Sequence, residues 1–201
     1  MTTSTHHSPD ARASAVRQCM VNGFPRRHCE AFMRDGFDLR PNQKDACIRI
    51  NPHILEGSLI VITGIEGNGK TALACSYAYS WYLRGYSLPR GKALYFTMTQ
   101  LLNAQKAWYG AGSKGDSPLD KALECGLLVL DELIASHESP HDRNLIRDLL
   151  NRRYADKRTT ILLSNLGDDG LKKALDRPIL DRISDGGALI ELQGKSLRGV
   201  A

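Results

Sequence analysis

After Gly57 the chain alternates short, almost wholly apolar runs with longer amphipathic stretches. The apolar runs are Ser58-Leu-Ile-Val-Ile-Thr63, Ala93-Leu-Tyr-Phe-Thr-Met98, Gly126-Leu-Leu-Val-Leu-Asp131, Thr160-Ile-Leu-Leu-Ser164 and Ala188-Leu-Ile-Glu-Leu192. Runs this short and this apolar are expected of strands buried on both faces. The stretches between them predict helices. Lys70 to Gly85 ends on a glycine suited to a C-terminal cap. Ser117-Pro118 and Ser139-Pro140 each read as an N-cap followed by proline at the first helical position. Leu145, Ile146, Leu149 and Leu150 then repeat at helical spacing. Strand, helix, strand throughout predicts an α/β fold: five parallel strands with helices on both faces. An order 5-1-4-3-2 would set the fourth strand among the core strands.

The segment before Gly57 has a different pattern. Residues 1–18 are rich in Ser, Thr, His and Ala and are expected to be unstructured. Residues 19–56 read as a short helical extension anchored by Phe24, Phe32 and Phe37, without a core of its own. Residues 57–201 form the main domain, and no internal repeat interrupts it.

Composition narrows the setting. A chain of 201 residues, 42% hydrophobic and 24% charged, suits one globular domain with a short appendage. No apolar run approaches the roughly 20 residues that span a bilayer, and the N-terminus lacks a secretory pattern, so no membrane partner and a cytoplasmic address are expected. Five cysteines, an odd number without a C-x-x-C pair, argue against a disulfide framework. Cys19, His28 and Cys29 match no common zinc spacing. The net charge of +5 hints at a polyanionic partner.

The chemistry concentrates after the first strand. Gly64-Ile65-Glu66-Gly67-Asn68-Gly69-Lys70-Thr71 satisfies G-x-x-x-x-G-K-[ST], with Ala72 continuing into the helix. Glycines let backbone N–H groups cradle phosphates, and the helix beginning near Gly69 adds its positive end. In such a loop Lys70 reaches the β- and γ-phosphates of ATP, and the Thr71 hydroxyl ligates Mg²⁺. The third strand ends in Asp131-Glu132, which puts a carboxylate at the sheet's C-terminal edge, where nucleotides bind in open α/β sheets. Asp131 is the metal carboxylate and Glu132 the general base toward water. A small-molecule kinase needs no such base, so hydrolysis is the expected reaction. Asn165, closing the fourth strand, is placed to orient water or sense the γ-phosphate, or else to cap a helix.

From Asn22 to Arg198 the chain resembles the AAA+ core of DnaC-type helicase loaders and their IstB-type transposition relatives. The resemblance rests on Gly64–Thr71, Leu127-Leu-Val-Leu-Asp-Glu132, Leu149-Leu-Asn-Arg-Arg153, Leu163-Ser-Asn165, Ile179-Leu-Asp-Arg-Ile183 and Ser196-Leu-Arg198, in that order. It implies that Asn165 is sensor 1, Arg198 sensor 2, and Arg182 an arginine finger acting on a neighbouring subunit's nucleotide, hence self-association. It further implies single-stranded DNA as ligand, with Lys106, Trp108, Tyr109 and the loop Ser136 to His141 as candidate contacts. The basic group Arg152, Arg153, Lys157 and Arg158 reads either as a phosphate contact or as favourable charge at a helix end. A replicative helicase is a candidate partner, although the extension is too short for a full docking module of the loader kind, and no C-terminal lid domain is expected. Two rivals stand beside the loader: an IstB-like transposition helper, and a regulatory module that uses ATP only as a conformational ligand.

Overall fold

The computed structural model describes residues 7–34, 36–133, 139–194 and 196. Three helices come first: α1 (Pro9–Val21), α2 (Arg26–Ala31) and α3 (Pro41–Ile50). Then follow β1 (Leu59–Thr63), α4 (Lys70–Leu83), α5 (Ser87–Arg90), β2 (Ala93–Thr97), α6 (Met98–Gly110), α7 (Pro118–Glu124) and β3 (Leu127–Leu133). The chain continues through α8 (Pro140–Ala155), β4 (Thr159–Ser164), α9 (Asp168–Ala174), α10 (Arg177–Gly186) and β5 (Ala188–Glu191). The strands form one five-stranded parallel sheet, as the sequence predicts, in the order β2-β3-β4-β1-β5. Ser117 and Ser139 cap α7 and α8 with proline at the first turn.

Successive strand residues point to opposite faces, so the sheet divides two cores. Ile60, Ile62, Leu127, Val129, Ile161 and Leu163 pack with α1 to α4. Val61, Leu128, Leu130 and Leu162 face α6 to α10. β1 and β4 are buried along their whole length, which is why they read as unbroken apolar runs.

The N-terminal segment departs from expectation. Residues 9–18, expected to be unstructured, lie within α1, whose start is capped by the Ser8 hydroxyl accepting from the Ala11 N–H at 3.2 Å. Ala15, Val16 and Cys19 are spaced to make one apolar stripe and are buried against the main core. That stripe, together with the Ser-Pro cap, outweighs a polar composition. The turn after α1 covers the free edge of β2, where the Asn22 carbonyl accepts from the Tyr95 N–H at 3.1 Å. Gly23, at φ 91°, makes this approach feasible, because a Cβ there would stand 2.5 Å from the Tyr95 oxygen. At the opposite edge the Arg49 guanidinium donates to the β5 carbonyl of Leu189 at 3.0 Å.

The basic cluster also resolves differently. Arg153 is fully buried. It donates to the carbonyls of Ala122 (2.7 Å), Leu123 (3.1 Å), Cys125 (2.7 Å) and Thr159 (2.6 Å), and to the Thr160 hydroxyl (2.8 Å). It therefore satisfies the C-terminal carbonyls of α7 and cannot contact a phosphate. Arg158 likewise donates to the Glu124 carbonyl. The five cysteines are free and buried.

Candidate nucleotide site

The loop from Gly64 to Gly69 joins the buried end of β1 to the first turn of α4, as the motif requires. Asn68 is fully buried, and its amide donates to the Leu192 carbonyl at 2.6 Å. The Lys70 ammonium lies inside the loop, donating to the carbonyls of Gly64 (2.6 Å) and Ile65 (2.8 Å) and, at 3.4 Å, to Asn68 Oδ1. Gly69 sits at φ 100°, and a Cβ there would fall 1.8 Å from an Arg40 nitrogen. Arg40 and Gln43 come from the start of α3 and hold the loop from outside, donating to the carbonyls of Asn68 (3.1 Å) and Gly69 (3.0 Å). These two residues were not foreseen, since nothing near them in sequence marks them as partners of the loop.

Asp131 stands across from Thr71. Its Oδ2 accepts from the Thr71 hydroxyl at 2.9 Å and from the Tyr95 phenol at 2.7 Å, while Oδ1 accepts from the Glu132 N–H at 2.7 Å. Hydroxyl and carboxylate oxygens side by side are the hard donors that Mg²⁺ takes, so the residues present fit that ion. Tyr95 is the unforeseen member. The available signal was a single phenol inside the apolar run Ala93-Leu-Tyr-Phe, on the strand that pairs in register with β3.

Glu132 occupies a strained position. β3 and β4 pair at Leu130 with Leu162, then at Leu133 with Ser164, so β3 carries one extra residue there. Glu132 adopts φ 62°, a left-handed conformation that costs about 1–2 kcal/mol for a residue with a Cβ. The strand thus runs past its expected end at Asp131, and the bulge presents an exposed glutamate at the sheet's C-terminal edge. Backbone strain of this kind clusters at functional sites. Asn165 is exposed just beyond β4 and shares an open cleft of about 1100 Å³ with Gly64 and Ile65.

Arg182 is not among these groups. Its guanidinium lies 5.3 Å from the centre of the Tyr154 ring, in the last turn of α8 shortly before β4 begins. That is toward the edge where the strands start, whereas the loop follows the far end of β1. One of its guanidinium nitrogens is buried without a hydrogen-bond partner among the described residues. Lys106 forms an ion pair at 3.0 Å with the buried Asp142 at the start of α8. Trp108 is half-buried with Tyr109 edge-on at 5.6 Å, and Tyr109 is exposed. Arg198 and residues 136–138 of the loop after β3 lie outside the described residues.

Sheet order, phosphate loop and acidic pair together define an AAA+ P-loop NTPase fold. Within that class the chain belongs to the family described as IstB-like ATP binding protein, whose model matches residues 47–200. The Escherichia coli (strain K12) replicative helicase loader DnaC is 28% identical over 130 residues, 64% of this chain and 51% of that protein. The chain thus spans about half the length of the curated relatives it matches. In fold it is similar to the crystal structure of the DnaC helicase loader, with a TM-score of 0.66 and 21% identity, covering 84% of this chain and all of that one. It is also similar to AMPPCP-bound DnaA from Aquifex aeolicus, with a TM-score of 0.60 and 21% identity over 78% of this chain and 48% of that one.

Proposed function

We propose that this protein binds ATP with Mg²⁺, hydrolyses it as an oligomer, and acts on single-stranded DNA as a DnaC-like replication protein of the helicase-loader type. The observation that carries the reading is the strained Glu132 beside Asp131 and Thr71, because a hydrolase needs a carboxylate held toward water there. Lys70 exchanges its loop carbonyls for the β- and γ-phosphates. Thr71 and Asp131 would hold Mg²⁺, which when bound neutralises charge that builds on the phosphates. Glu132 accepts a proton from the attacking water, and Asn165 orients that water or senses the γ-phosphate. Arg182, too far from its own loop, serves a neighbouring subunit, and its unpartnered buried nitrogen is consistent with a contact made only on assembly. Trp108 and Tyr109 supply stacking surface for bases; Lys106, tied to Asp142, contributes charge from the base of that pair. The relatives' names favour a replicative helicase as client. The family's IstB-like description favours a second reading, a transposition helper that prefers duplex DNA.

The test is ATP turnover by wild type, Glu132→Gln and Arg182→Ala, each alone, with single-stranded DNA and with duplex. Wild type should respond to single strands, and both variants should fall by about a hundredfold or more while still binding ATP. A response to duplex alone would select the transposition helper. Binding without turnover under every condition would leave a regulatory module.

A further inference from the structure

Tyr95 touches two parts of the molecule that the proposed reaction otherwise leaves unconnected. Its phenol donates to Asp131 Oδ2 at 2.7 Å, the same oxygen that accepts from Thr71. At its other end the residue is bound to the connection between α1 and α2. The Tyr95 N–H donates to the Asn22 carbonyl at 3.1 Å, the Tyr95 main-chain carbonyl oxygen lies against Gly23, and the ring packs on Phe24 at 5.5 Å between centroids. Phe24 and Tyr95 are both buried. α1 itself packs along α4, the helix whose first two residues are Lys70 and Thr71.

β2 is an edge strand, so residues 22–24 supply the contact on its outer side. A phenol has few internal rotations, and its hydroxyl therefore stands where the strand and this turn put it. The hydroxyl in turn restricts the rotamer of a carboxylate assigned to the metal. We propose that Tyr95 is a positioning residue that ties the Asp131 carboxylate to the docked α1–α2 hairpin, so that the hairpin and magnesium–nucleotide favour each other. This rests on the reading of Asp131 as the metal carboxylate. Such coupling is reciprocal: whatever lifts the hairpin weakens metal-dependent nucleotide binding by the factor by which nucleotide holds the hairpin down.

The experiment uses the full chain and a fluorescent ATP analogue. Its affinity is titrated against Mg²⁺ and in excess EDTA, and amide hydrogen exchange is followed over residues 9–24. In wild type, Mg²⁺ should tighten the analogue, and the two together should slow exchange in α1. In Tyr95→Phe, which keeps the ring, the Mg²⁺ concentration for half the effect should rise about tenfold, with affinity in EDTA changed by less than about twofold. The slowing of exchange by nucleotide should be lost. Gly23→Ala, which pushes the turn away from β2, should shift the Mg²⁺ requirement in the same direction with Tyr95 intact. The double variant should be no worse than the more affected single one. Unchanged Mg²⁺ dependence and exchange in Tyr95→Phe would overturn the proposal. An equal loss of affinity in EDTA would also overturn it, since that marks general damage. Wild type that binds without turnover would sink the hydrolysis reading alone, because these readouts need no hydrolysis. Wild type indifferent to Mg²⁺ would remove the metal reading and the coupling together.

Discussion

Lys70 and Arg153 are both nearly or wholly buried cations, 7% and 0% exposed, and both are surrounded by main-chain carbonyls. Lys70 sits at the end of the sheet where the strands finish, and Arg153 near the end where β4 begins. The lysine presents a compact ammonium to the loop carbonyls of Gly64 and Ile65, and phosphate oxygens can replace these without disturbing the core. The arginine spreads a rigid fork across Ala122, Leu123, Cys125 and Thr159, so that the end of α7 and the start of β4 share one partner. Similar burial therefore serves opposite purposes. One cation has contacts that can be exchanged, and the other has contacts that cannot.

Arg153→Ala tests the fixed side hardest. It strands several buried carbonyls and should lower unfolding free energy by about 3–5 kcal/mol in urea titrations, while the folded fraction still binds ATP. Arg153→Lys should recover less than half of that, because one ammonium cannot span four carbonyls. A loss of nucleotide affinity without a loss of stability would collapse the distinction. Lys70→Ala should do the reverse, weakening ATP binding by about a hundredfold and changing stability by less than about 1 kcal/mol. The smallest effect is expected at Glu132→Gly. Releasing φ 62° should stabilise the fold by up to about 1 kcal/mol while turnover falls to background. Destabilisation instead would mean that the bulge is held by the glutamate side chain.

The loop and the acidic pair were legible because their chemistry is local. Eight contiguous residues make the loop between β1 and α4 and open that helix, and one apolar strand delivers Asp131 and Glu132. Two of the central strands were legible too, since β1 and β4, buried on both faces, cannot hide their apolar runs. Tyr95 and Arg153 were not, because Asp131 lies 36 residues from Tyr95 and the carbonyls at the end of α7 lie 28 to 31 residues from Arg153, and they meet only through strand register and helix packing. In sequence Arg153 stands beside Arg152 and close to Lys157 and Arg158, and its immersion in the core separates it from that group. α1 announces itself through Ser8-Pro9 and the stripe at Ala15, Val16 and Cys19, yet a composition-weighted reading gives more weight to the surrounding polar residues. Glu132's strain has no sequence signal, because a bulge is a relation between two strands.

The covered sheet edges carry a consequence for crowding. Open strand edges are where copies of a β-containing protein fuse into continuous ribbons that do not come apart. Here the turn after α1 holds a β2 amide, and Arg49 of α3 holds a β5 carbonyl. In the assembly proposed above, copies would therefore meet through side chains, and contacts of that kind dissolve when salt rises. Stripping away the residues before β1 should bare both edges and make the protein precipitate, which light scattering on concentration would show.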